Sequence, residues 1–100
     1  MKIDGRMKVK KLKSEFKKTF GLTLRVYNGS KFADEDATLA SIRKGDAKGG
    51  DFSPRSNMKI DNFEKNMKEL FGIKVQVASA DDSSLCKNSL TLSDAKKECK

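Results

Sequence analysis

Val9, Leu12, Phe16 and Phe20 are spaced by 3, 4 and 4 residues, and Ile60, Phe63, Met67 and Phe71 repeat the same steps. That spacing puts each set on one face of an α-helix, with polar residues filling the other positions. Gly21 and Gly72 follow directly. Glycine enters the left-handed conformation that ends a helix without steric cost, so both helices should stop there. The period then changes to two. Leu22, Leu24 and Val26 alternate with Thr23, Arg25 and Tyr27, and Ile73, Val75 and Val77 alternate with Lys74, Gln76 and Ala78. Each run predicts a strand with one buried face.

The two helix–glycine–strand runs align without gaps. Residues 7–27 and 58–78 share six identical positions of twenty-one, and five more exchange one apolar residue for another. Shifting the second stretch by two further residues lays Thr91-Leu92 over Thr38-Leu39. Shared lysines could come from composition alone, but the whole apolar pattern with its FG punctuation points to a tandem duplication, with repeats at 7–44 and 58–97. A second, shorter helix is expected in each repeat. In the first, Asp34, Glu35 and Asp36 would sit at its start and Arg43 and Lys44 at its end, as the helix dipole prefers, with Gly45 beyond. Arg6–Val9 and Asn57–Ile60 read as edge strands. The expected fold is therefore α/β, with α+β the alternative. It is a pseudo-twofold pair of β-α-β-α units in one domain over residues 1–100, with a small sheet packed by helices and right-handed crossovers where strands are parallel. The join at 45–57 holds three glycines and the only proline, which predicts an exposed loop.

The phrases FGLTLRVYNGSKFADEDATLASIRK and FGIKVQVASADDSSLCKNSLTLSDA resemble a family of small bacterial tandem-repeat proteins of unknown function. The likeness begins at about Met7. It implies a bacterial origin and a complete protein, and it implies no catalytic residue.

Composition narrows the chemistry. The chain has no histidine, which removes most zinc sites, Ser-His-Asp and Cys-His catalysis and histidine general bases. Cys86 and Cys99 match no zinc spacing and are expected as two reduced thiols. The acid clusters Asp34-Glu35-Asp36 and Asp81-Asp82 lack calcium-loop spacing and read as helix-start and turn chemistry. Gly45, Gly49 and Gly50 lack the phosphate-loop pattern. No metal and no cofactor is expected, nor a membrane span, and with no hydrophobic leader the expected location is the cytoplasm.

Charge is the remaining signal. The net charge is +8, and residues 1–20 carry eight lysines and arginines against two acids. Residues 61–100 are balanced, seven against seven. Lys8, Lys10, Lys11, Lys13 and Lys17 gather around the first helix, and the counterparts of Lys10 and Lys13 in the second, Asp61 and Glu64, read as a capping box. Lysines at a helix start oppose its dipole, whereas an anion there would meet free backbone N–H groups. The expectation is a non-enzymatic binding protein that contacts nucleic-acid phosphate through these lysines. The alternative is a protein–protein adaptor or inhibitor with no nucleic-acid binding. Its partner face would be the outer side of the strands, at Arg25, Tyr27, Lys74 and Gln76. One tyrosine and no tryptophan argue against a platform that stacks many bases.

Overall fold

A computed structural model describes residues 1–43 and 49–99. The elements in order are α1 (Val9–Phe20), β1 (Thr23–Asn28), β2 (Lys31–Phe32), α2 (Ile60–Phe71), β3 (Lys74–Ala78) and α3 (Leu92–Glu98). The apolar spacing acts as expected. Val9, Leu12, Phe16 and Phe20 of α1 are buried, as are Ile60, Phe63, Met67 and Phe71 of α2. Gly21 and Gly72 end the helices at φ 69° and 64°. Their N–H groups bond the carbonyls of Lys17 and Lys68 at 2.8 and 2.9 Å. Phe16 and Phe63 join the helices across the core, their ring centroids 5.3 Å apart.

The sheet has three strands in the order β2-β1-β3, and both pairings are antiparallel. The fold is therefore α+β, the alternative named above, rather than α/β, and with no parallel pair among the described strands no right-handed crossover arises. The reason is local: each long strand turns back at its glycine and packs on its own helix, which leaves the two strands to pair directly with each other rather than through a crossover. The register pairs Thr23 with Ala78, Arg25 with Gln76 and Tyr27 with Lys74.

The expected edge strands at Arg6–Val9 and Asn57–Ile60 do not form. Single bridges stand in their place, Lys8 with Thr38 and Lys59 with Thr91. Around these bridges the two halves make the same hydrogen bonds. Val9 N–H bonds Ala37 O as Ile60 N–H bonds Leu90 O, both at 2.9 Å. Leu39 N–H bonds Met7 O at 2.9 Å, and Leu92 N–H bonds Met58 O at 3.0 Å.

Among the described residues the short helix forms only in the second half. Thr91 caps α3 by accepting from Asp94 N–H at 3.1 Å. Cys99 at its other end is bonded to Cys86, with Cα atoms 5.4 Å apart. The cysteines are thus a disulfide, which corrects the expectation of free thiols: the fold brings the end of α3 beside the segment that follows β3, within ordinary bridging distance. In the first half, Thr38 accepts from Ser41 N–H at 3.2 Å in the same way, but residues 39–42 remain a turn. A segment this short does not sustain a helix by itself, and no cross-link holds it. Lys44 and Gly45, expected to end that helix, and the start of the joining loop lie outside the described residues. Later in the join, Asp51, Ser53 and Arg55 are exposed, but Pro54 is buried and Phe52 bridges to Ile3, so the loop is less open than expected. Among the described residues no helix is long and apolar enough to cross a membrane.

Candidate functional site

Strand alternation sends Leu22, Leu24, Val26, Ile73, Val75 and Val77 into the core beneath α1 and α2. The same alternation sends Thr23, Arg25, Tyr27, Lys74 and Gln76 to the opposite side. The register sets Tyr27 between Phe32 on β2 and Lys74 on β3. The Tyr27 and Phe32 rings stack with centroids 5.0 Å apart at 20°, and Lys74 Nζ lies 5.6 Å from the Tyr27 centroid. Tyr27 donates its hydroxyl hydrogen to Gln76 Oε1 at 2.8 Å. All four residues expected on the partner face, Arg25, Tyr27, Lys74 and Gln76, therefore share one surface.

A turn after β3 positions Arg25. Ser79 is buried, and its Oγ accepts from the N–H groups of Ser83 and Ser84 at 3.2 and 3.3 Å. Asp81 Oδ1 accepts from Ser79 Oγ at 2.8 Å and from Ser83 N–H at 3.1 Å. Hydrogen bonds from Ser83 and then Ser79 hold the Asp81 carboxyl down to a pKa of about 2. This places Asp82 at φ 61°, a left-handed conformation that aspartate tolerates better than most residues. Arg25 Nε then bonds Asp82 Oδ1 at 2.7 Å, and a second Arg25 nitrogen bonds Asp82 O at 3.1 Å. The hydrogen bond to Asp82 is the main reason the guanidinium pKa lies above its ordinary value. Lys17 Nζ donates to Ala80 O of the same turn.

Two residues of this surface were not foreseen. Phe32 and Leu85 are the exposed large hydrophobic residues among those described, at 67% and 49%. Both lie on this side of the sheet: Phe32 pairs with Tyr27, and Leu85 bridges to Ala78, which itself pairs with Thr23. The Gly29-Ser30 pair was the available signal. A two-residue Gly-Ser loop is a hairpin cue, and it puts Phe32 opposite Tyr27.

The lysines of α1 have a different setting. Lys10 pairs with Asp36 at 3.1 Å and Lys13 with Glu35 at 2.9 Å. The acids expected to start a helix lie instead in a turn over the start of α1. The N–H groups of Val9 and Lys10 already bond Ala37 O and Glu35 O, both at 2.9 Å, so these two are not free for an anion. Lys8 and Lys11 make no ion pair among the described residues, and with Arg6 and Asp4 they line a shallow hollow. Lys13 joins Arg25, Phe32, Glu35 and Asp82 in a groove beside β1. The capping box expected at Asp61 and Glu64 is absent. Lys59 is the cap residue and makes no side-chain cap bond, while Leu90 O and Asn88 O receive the first N–H groups. Glu64 is half-buried, and desolvation followed by the nearby Asp61 charge raises its pKa.

No protein-family model, no curated protein and no solved structure matches the chain.

Proposed function

We propose that the chain is a non-enzymatic binding module that takes an anionic macromolecule on the open face of its sheet. One observation carries this reading. The two exposed large hydrophobic side chains among the described residues lie on the sheet face opposite α1 and α2, Phe32 opposite Tyr27 at one end and Leu85 opposite Ala78 at the other. Exposed apolar side chains rimmed by polar and charged ones are the usual make-up of a surface meant to be covered. The net charge of +8 adds long-range attraction for an anion. Lys8 and Lys11 extend that field, while Lys10 and Lys13 are already paired within the chain. A protein adaptor is the second reading, favoured by the neutral Arg25–Asp82 pair at the centre of the face.

We also infer that the halves arose by tandem duplication. The matched bonds at residues 7–9 and 58–60 support this, as does the antiparallel pairing of β1 with β3, which is what a twofold axis between equivalent strands produces. A cytoplasmic location would require the dithiol form to stay folded, since that compartment keeps thiols reduced.

Titration of isotope-labelled protein with heparin at low ionic strength, followed by amide chemical shifts, tests the function. Shifts should cluster at residues 23–32 and 74–85. Shifts confined to residues 6–13 would return the site to α1. No shift at any heparin concentration would leave the adaptor reading.

A further inference from the structure

We propose that the occupant of the open face is single-stranded nucleic acid, with a base stacked on the outer side of Phe32; this rests on the reading of that face as the contact surface. The geometry supplies a stack with one end free. Lys74 stands on the β3 side of the Tyr27 ring and Phe32 on its β2 side, nearly parallel to it. Tyr27 covers one side of the Phe32 ring, and the residue remains 67% exposed. A further planar aromatic group laid on Phe32 would continue the series. Lys31, the exposed neighbour of Phe32 in the two-residue β2, alternates to the other side of the strand and adds only to the general positive field.

Charge decides between occupants. A second copy would bring another chain of net charge +8 against this one, and the repulsion grows as salt is lowered. A nucleic acid brings the opposite charge. Stacking then decides between forms of nucleic acid. In a duplex the bases are stacked on one another and paired, whereas a single strand can splay a base onto an aromatic side chain. One free ring predicts weak sequence preference, because every base has a π-face.

The test compares wild type with Phe32→Ala and Phe32→Trp, using fluorescence anisotropy. The probes are a thymidine oligonucleotide, an abasic strand of equal length, the matching duplex and heparin. Because Phe32 is 67% exposed, its removal should cost only the stack on Tyr27 and leave a cooperative unfolding transition within a few degrees of wild type, about the effect of one aromatic pair. Phe32→Ala should bind the thymidine strand about tenfold more weakly, the low end of the loss typical for one stacked base, and Phe32→Trp should restore binding. Heparin and the abasic strand should bind all three proteins equally. Equal binding of the thymidine strand by wild type and Phe32→Ala overturns the stacking proposal but leaves the anion-binding reading standing. Duplex bound more tightly than the single strand also overturns it. Failure of wild type to bind any of the four probes overturns both. A dimer in sedimentation that Phe32→Ala abolishes, with no oligonucleotide bound, assigns the face to a second copy.

Discussion

Asp81 and Glu64 are both carboxylates near the ends of regular elements, yet the fold treats them oppositely. Asp81 is held ionised by Ser83 and Ser79, with its pKa lowered from 3.8 to about 2. Its contribution is present above the unfolded value and disappears as pH falls through the folded one. The melting temperature should therefore drop as pH is lowered from 3.8 to about 2, and Asp81→Asn should lower it at neutral pH while flattening that window. Glu64 has the reverse sign. Its raised pKa means that folding favours the protonated form, so its contribution is lost as pH rises from the unfolded value through the folded one. Glu64→Gln should then raise the melting temperature at neutral pH, and a variant that melts below wild type there would contradict the assignment. At the same scale, the structure reverses what the sequence suggests for Lys10 and Lys13. Copying Asp61 and Glu64 onto them would restore a cap if a capping box existed. In the fold, Lys10→Asp with Lys13→Glu sets like charges against Asp36 and Glu35. That double variant should melt below wild type, and adding Glu35→Lys and Asp36→Lys should recover part of the loss.

The elements whose signals are local are legible in the sequence. Both long helices, both terminating glycines and both long strands follow from spacing within about twenty residues, and packing agrees with spacing. Truncating Phe16 or Phe71, each almost wholly buried, should cost about 3–5 kcal/mol, measurable by denaturant unfolding. The misread elements depend on partners distant in sequence. Thr38 and Thr91 begin their segments alike, but only the second is tied down by a cysteine pair, and compartment arguments pointed away from that pair. Phe32 was hidden for a related reason. Its exposed place follows from the register with Tyr27, which the turn at Gly29-Ser30 fixes. The α1 lysines looked like a ligand site because their acidic partners lie 22 and 26 residues away. For α3 the expected outcome is specific. Seven residues are too few for a free helix. Reduction, or Cys86→Ser with Cys99→Ser, should remove about 3 kcal/mol of stability and speed amide exchange at residues 92–98 before the rest of the chain.

Across the whole molecule, the halves are joined chiefly by the five paired positions of β1 and β3 and by the contact of Phe16 with Phe63. Neither half encloses the apolar side of its own strand completely, so separation would expose both. Cleavage between Arg55 and Ser56, which lie in an exposed stretch, should leave the two pieces co-eluting in gel filtration and dissociating only in denaturant.

The segment tethered by Cys86 also governs how the protein can join to copies of itself. Cys86 N–H bonds Val77 O and Ser79 N–H bonds Ser84 O, so the outer edge of β3 is occupied along its C-terminal half. At the other edge β2 offers only two residues. Growth into fibrils proceeds by main-chain pairing at free strand edges, and here those edges are short or already taken. The disulfide is thus a guard against polymerisation as well as a brace for α3. Reduced protein held just below its melting temperature should seed fibrils, seen by thioflavin fluorescence, while oxidised protein at the same fraction unfolded stays clear.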